Sequence, residues 1–220
     1  MGWWVSEAWN HHAGPIVLVS HVFWVIFSIV LHELGHGWAA IRQDDDTPIH
    51  TGHMTWNPVV HMGLFSLIAF LLLGIAWGAM PVDPSRFRSR HGDAIVAAAG
   101  PMVNLILAIV AILGLLAWHV AGSGVSEPFR TNLGIFLRMG AGLNIVLMLF
   151  NLVPVPPLDG SRILASFVPS YGRLWHSEQG AVIALVVFLL AFQYVADLMF
   201  SLAEAIVGLA EGLVSSGGSP

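Results

Sequence analysis

The 220-residue sequence contains no cysteine and no lysine, and only 10% of its residues are charged. The absence of cysteine excludes disulfide bonds and thiolate metal sites. The scarcity of charge excludes an ordinary soluble domain, in which about 25% of residues are charged. Because no basic patch accompanies the net charge of −5, we also expect no nucleic-acid partner.

Apolar residues, in contrast, are abundant: 56% of the chain is hydrophobic and the mean hydropathy is +0.78. Runs of about 18 or more apolar residues cross a bilayer as helices, because lipid offers no partners for backbone polar groups. The sequence therefore predicts an all-α polytopic membrane protein with about 4–6 membrane segments. The apolar runs cover residues 15–40, 62–80, 93–120, 133–153 and 180–200.

The stretch LHELGH, residues 31 to 36, places ionisable groups at the end of the first apolar run. Residues four apart share one helix face, so His32 and His36 present two imidazoles side by side. Glu33 lies about 100° round the helix, where it suits a base that takes a proton from water at a metal. Two core histidines bonded to backbone carbonyls are the alternative. Because an intramembrane charge costs roughly 2.5–3.5 kcal/mol, we favour a metal site, with zinc ahead of iron and manganese.

A third ligand is offered by FNLVPVPPLDGSR, residues 150 to 162, where prolines forbid a regular helix. Broken backbone at membrane depth is tolerated only against protein or a water-filled cavity, and we expect Asp159 to face such a cavity. The alternative is a turn aspartate that caps the next helix.

Together, H-E-L-G-H and the later N-x-x-P-x-x-P-L-D-G resemble the site-2 protease family of intramembrane zinc metalloproteases. The resemblance implies that His32, His36 and Asp159 bind Zn²⁺ and that Glu33 is the catalytic base. It implies that Asn151 binds substrate or stabilises the oxyanion. AAAGPMVNLILA, residues 97 to 108, resembles the family's intervening core helix with its G-P-x-x-N signature.

The function implied is a zinc metalloendopeptidase that cleaves peptide bonds within or next to transmembrane segments of membrane-protein substrates. The competing hypothesis is a metal-binding membrane scaffold or metal transporter without proteolytic turnover. Intact Glu33 favours the enzyme, because a transport path has no need of a base.

The resemblance is to a compact subgroup without a PDZ domain, and it gives the expected division of the chain. We expect a short extracytoplasmic N-terminus at 1–14 and a metalloprotease core at 15–175. A C-terminal membrane helix or helices at 176–214 and a flexible tail at 215–220 follow. Nothing in the pattern specifies an oligomeric state.

The sequence also predicts a topology. The two motifs reach one side of the membrane if the run at 62–80 is re-entrant or packs without crossing. Most arginines then lie on the active-site side, which the positive-inside rule makes cytoplasmic. Four full crossings with a metal ion at the midplane are the alternative. A compact chain without cysteine indicates a bacterial inner membrane.

The segment PIHTGHMTWNP, residues 48 to 58, alternates loosely and predicts a short β-hairpin, with an ordinary interfacial loop as the alternative. An exposed strand edge there would pair with an unwound substrate. The three aspartates at 44–46 predict a solvated acidic turn.

Overall fold

The computed structural model describes residues 5–6, 14–175 and 177–216. Most of the predicted N-terminus 1–14, and residues 217–220 of the predicted tail, lie outside the described residues. The regular structure that is described is helical, and we number its helices in chain order. They are α1 (Pro15–Arg42), α2 (Thr47–His50), α3 (Pro58–Leu73), α4 (Gly92–Ala121), α5 (Phe129–Asn151), α6 (Asp159–Phe167), α7 (Pro169–Trp175) and α8 (Glu178–Ser216), with 3₁₀ turns at Pro84–Arg86 and Gly122–Gly124.

Three of the described helices, α1, α4 and α5, are long and apolar enough to cross a membrane. The shortest of them, α5, has 23 residues, which at 1.5 Å per residue exceeds the roughly 30 Å of a bilayer's hydrocarbon core. Helix α3 is apolar but shorter, with 16 residues and a kink at Gly63, whose φ of 66° is not helical. These findings confirm the prediction of an all-α integral membrane protein.

The three long helices pack through small residues and one tryptophan. Trp24 of α1 lies directly on Gly140 of α5, where an added Cβ would come within 2.2 Å of the indole ring. The indole N–H donates to the carbonyl of Phe136 at 2.8 Å. Glycine and alanine allow this close approach of helix backbones, as in other membrane bundles. The buried core around Trp24 also includes Ala108, Ala111, Leu115, Ala141 and Ile145.

The chain between α1 and α4 leaves and returns at the same end of this bundle. Helix α3 ends at Gly74, which has a left-handed φ of 74°, and the chain then runs back along α3 without regular structure. On the way, Trp77 exchanges hydrogen bonds with the Ser66 hydroxyl at 2.7 and 2.9 Å. The N–H of Ala79 donates to the carbonyl of His61 at 2.9 Å. The return brings Ala79 beside the first turn of α3.

The predicted β-hairpin at 48–58 was wrong. The described chain has no strand there: α2 occupies the first residues, and turns lead to α3. Pro48 takes an early position in α2, where its missing N–H costs nothing. The side chain of Asn57 accepts the N–H of Val59 at 3.0 Å and caps α3. The polar residues that resembled hairpin alternation thus serve as helix caps and turns.

The expected solvated turn at 44–46 was wrong at its centre, because Asp45 is fully buried. Its carboxylate accepts the N–H of Thr47 at 3.0 Å and the N–H of Asp83 at 2.8 Å. Beside it, the carbonyl of Gln43 accepts the N–H of Arg88 at 2.9 Å. These bonds join the end of α1 to the segment that leads into α4, so the two helices run in opposite directions from one end.

Candidate metal centre

Two histidines and an aspartate converge inside the bundle, in the half that contains the end of α1 and the start of α4. The Nε2 atoms of His32 and His36 lie 3.0 Å apart. The Oδ2 atom of Asp159 lies 3.1 Å from Nε2 of His32 and 3.3 Å from Nε2 of His36. All three side chains are buried. Their ligand atoms are close enough together to hold one metal ion.

The spacing of these atoms fits zinc. Tetrahedral ligands at 2.0–2.1 Å from a zinc ion lie about 3.3 Å from one another, close to the three separations between His32, His36 and Asp159. The buried Oδ2 atom of Asp159 has no hydrogen-bond partner among the described atoms. The donor set therefore suits a divalent cation.

Helix α4 orients both imidazoles. Nδ1 of His36 lies 2.7 Å from the carbonyl oxygen of Val96, and Nδ1 of His32 lies 2.6 Å from Oδ1 of Asn104. Between these two residues, Gly100 faces the histidines, and an added Cβ there would lie 2.5 Å from each Nε2. Glycine at this position therefore leaves room for the two ring nitrogens and for an ion.

Glu33 is buried beside the two histidines, and the chain returning from α3 lies against it. An added Cβ on Gly78 would lie 2.4 Å from Oε1 of Glu33. Sequence reasoning did not single out Gly78. The only signal was a pair of glycines, Gly74 and Gly78, at the end of an otherwise apolar run.

Asp159 is held in place by its neighbours in the D-G-S-R stretch. It is the first residue of α6, and Gly160 sits so close to the preceding chain that a Cβ would lie 2.2 Å from the carbonyl oxygen of Leu152. Arg162, one turn on, donates to Asp93 at the start of α4 at 2.6 Å. The ion pair and the glycine contact fix α6 against both α4 and the end of α5.

The fifth predicted site residue, Asn151, is the last residue of α5 and is half-buried. Its amide donates to the carbonyl of Leu147 at 3.0 Å. In the part of the chain that the structure describes, no hydrogen bond joins Asn151 to the other predicted site residues. The structure thus brings four of the five residues together and leaves Asn151 bonded within its own helix.

Three apolar helices around a buried group of two histidines, an aspartate and a glutamate define the class of membrane metalloproteases. The comparison with known families agrees: residues 20–133 and 118–194 match the model of peptidase family M50, and the chain belongs to that family. It is a zinc metalloendopeptidase of the site-2 protease type. The resemblance stated from the motifs is therefore confirmed, together with the zinc cofactor. In the described chain between α1 and α6, no segment that joins two helices is long enough to contain a PDZ domain.

Similar proteins come from bacteria and archaea. YwhC of Bacillus subtilis is 37% identical over 181 residues, covering 81% of this chain and 82% of its own length. Rip2 of Mycobacterium tuberculosis is 32% identical over 189 residues, covering 82% of this chain and 69% of its own. Both carry the name "Putative zinc metalloprotease". A zinc metalloprotease of Methanocaldococcus jannaschii is 28% identical over 81% of this chain and 46% of its own length. No solved structure matches the chain significantly.

Proposed function

We propose that the chain cleaves peptide bonds within or next to the transmembrane segments of membrane-protein substrates. In this proposal His32, His36 and Asp159 hold the zinc ion, and Glu33 is the catalytic base. The observation that carries it is the buried set of three ligand atoms, 3.0–3.3 Å apart, two of them in the C-terminal half of the apolar helix α1. Residues 15–175 form the metalloprotease core. Residues 1–14 are the N-terminal segment, residues 176–214 the C-terminal membrane helix or helices, and residues 215–220 the tail.

The side chains divide the chemistry between them. When bound, zinc polarises the peptide carbonyl and lowers the pKa of water towards about 7. Glu33 accepts the proton of the attacking water and passes it to the leaving amine, as a general base and then a general acid. The amide of Asn151 turns from the carbonyl of Leu147 to bind the substrate backbone or the developing oxyanion. A scaffold or transporter would leave the buried Glu33 without a role.

The surroundings of Glu33 indicate how a substrate reaches it. The carboxylate lies among apolar helices and is covered on one side by the backbone around Gly78, so this returning segment would border a peptide bound at Glu33. A helical substrate shields its carbonyls inside its own hydrogen bonds. Local unwinding must precede attack, and helix-destabilising residues in a substrate's membrane segment favour cleavage.

We further propose that α1, α4 and α5 cross the membrane and that α3 with its return is re-entrant. The closed path of the return supports this topology, since Ala79 meets His61 at the start of α3. By the positive-inside rule the active-site end faces the cytoplasm, and bacterial relatives support a bacterial inner membrane. The arginines assigned to that end are Arg42, Arg86, Arg88, Arg90, Arg162 and Arg173, with Arg130 at the opposite end and Arg138 near it.

The Glu33→Gln substitution tests this function. Glutamine keeps the shape of the side chain but cannot accept the proton, so we expect zinc content equal to that of the wild type and loss of cleavage. The measurement is quantitative mass spectrometry of membrane-protein N-termini in cells that express either form, with zinc quantified on the purified proteins. New termini inside transmembrane segments should be present with the wild type and absent with the variant. Identical sets of termini under growth and envelope stress would contradict the proposal.

A further inference from the structure

A chain of buried amides runs from the candidate metal ligand His32 into the bundle. We infer that Asn104 and Asn144 are positioning residues that fix the tautomer and orientation of His32. The inference rests on the proposed function, because it takes His32 as a metal ligand. Asn104 lies on α4 and Asn144 on α5, and both side chains are fully inaccessible to solvent.

The hydrogen bonds that link these buried amides to His32 have only one consistent donor-to-acceptor direction. The carbonyl of Gly140 can only accept, so the group of Asn144 that faces it at 2.9 Å is the NH₂. The oxygen of Asn144 then accepts from the NH₂ of Asn104 at 3.0 Å. That leaves the oxygen of Asn104 facing Nδ1 of His32 at 2.6 Å. Because an amide oxygen only accepts, Nδ1 of His32 must carry the proton.

The direction of the chain determines which nitrogen of His32 is free to bind a cation. With the proton on Nδ1, the lone pair of the neutral ring is on Nε2, the atom that faces Asp159 and His36. His36 reaches the same state through the backbone carbonyl of Val96 at 2.7 Å. One ligand is thus oriented by main chain, which no substitution removes, and the other by two side chains.

Because the two amides are buried, substitutions of Asn104 have different expected effects. An amide in the apolar interior of a bundle is costly unless its groups are paired. Asn104 has its oxygen paired with His32 and its NH₂ with Asn144. Leucine at 104 removes both bonds, whereas aspartate keeps an oxygen for Nδ1 of His32 and faces the oxygen of Asn144 with a second one. A packing role alone would make aspartate no better than leucine; a role in orienting His32 makes it better.

The test is the Zn²⁺ affinity of the full-length protein in detergent, measured by competition with a chromophoric chelator. Removing an outer partner of a metal-bound histidine typically weakens affinity 10- to 100-fold. We expect a loss of about that size for Asn104→Leu, a smaller loss for Asn104→Asp, and none for Ser20→Ala. Ser20 is a matched control, since it is fully buried in α1, about three turns before His32, and its hydroxyl lacks a hydrogen-bond partner among the described atoms. Circular dichroism and thermal melting of each variant report folding separately.

Two results would overturn the inference: zinc affinity of Asn104→Leu equal to that of the wild type, or equal losses for leucine and aspartate. If Asn104→Leu does not fold, Asn144→Leu carries the test, because it spares the bond to His32 but frees the amide of Asn104 to flip. We then expect an intermediate loss, and unchanged affinity would overturn the inference. Failure of the zinc site itself is distinguishable, because the wild type would then bind zinc no better than His36→Ala. Failure of proteolysis alone would leave these affinities unchanged and would be seen in the comparison of membrane-protein N-termini.

Discussion

At the scale of single residues, two glycines control the site as closely as its ionisable groups do. A side chain at position 100 would fill the space between the two imidazoles, and a side chain at position 78 would clash with the carboxylate of Glu33. One glycine thus borders the metal ligands and the other borders the base. The two positions allow the two parts of the chemistry to be disturbed separately.

Alanine at each position gives a paired prediction. Gly100→Ala places a methyl group 2.5 Å from both Nε2 atoms, so we expect loss of zinc and of cleavage. Gly78→Ala displaces Glu33, and we expect normal zinc content with cleavage reduced at least 10-fold. Zinc quantification and a cleavage assay on purified protein measure the two effects. Gly142→Ala, with nothing within 4 Å of its added methyl, is the control; equal zinc loss in all three variants would contradict the assignment.

The residues of the site differ in how well their positions can be predicted from the sequence. The i, i+4 spacing of His32 and His36 is a local pattern, and it specified a shared helix face. Asp159 lies on another helix, and only its motif distinguished it from a capping residue. Asn144 carries no motif, since an isolated asparagine in an apolar helix has many uses. Its contact with Asn104 depends on how α4 and α5 pack, which the sequence did not specify.

At the scale of elements, the connections at the active-site end are bonded to one another. Asp45, which follows α1, accepts from the backbone of Asp83, which precedes α4. This bond fixes the end of the segment that returns past Glu33.

Sequence patterns predicted the helices α1, α4 and α5 well, because long apolar runs have few alternatives in a membrane. The same patterns failed at Asp45 and at residues 48–58, where caps and long-range bonds decide the conformation.

Asp45→Ala should loosen this end of the molecule. Burial tends to raise the pKa of the Asp45 carboxyl, but hydrogen bonds from Thr47 and from the backbone of Asp83 hold it below the ordinary value. A lowered folded-state pKa means that the stabilisation is present above the ordinary carboxyl pKa and is lost as the pH falls below it. We expect a loss of about 2 kcal/mol at pH 7, measured by thermal or denaturant unfolding in detergent.

The pH dependence separates this bond from general packing. The difference in stability between wild type and Asp45→Ala should shrink as the pH is lowered from 7 to about 3. Asp44→Asn is the matched control, because Asp44 is exposed, its contact with Arg88 is 4.0 Å long, and asparagine tolerates the left-handed φ of 71° at this position. A difference for Asp45→Ala that stays constant with pH would show that the charge of Asp45 does not stabilise the fold.

At the scale of the whole molecule, the number of membrane crossings between the two ligand-bearing segments determines whether they can share a site. The first helix and the segment after α5 must reach the same side of the membrane to share a metal ion. With three crossings they do, since α1 and α5 then run in the same direction and α4 runs between them in the opposite one. By composition alone the apolar run at 62–80 resembles a fourth crossing, and it was the parity of the two motifs and the positions of the arginines that predicted a segment that does not cross. Its return to His61 is a feature of tertiary structure, which hydropathy alone does not report.

The absence of cysteine makes this topology directly measurable, because every introduced thiol reports alone. Exposed positions outside the three proposed membrane-crossing helices are Thr51, Ser85, Ser126 and Ser170. With a re-entrant α3, single cysteines at 51, 85 and 170 should react with a membrane-impermeant maleimide only from the active-site side, and a cysteine at 126 only from the other. Inside-out and right-side-out vesicles distinguish the two sides, and retained zinc content confirms that each variant is folded. Labelling of positions 51 and 85 from opposite sides would mean that α3 crosses the membrane, and the sharing of one ion by α1 and α6 would then require a site at the midplane.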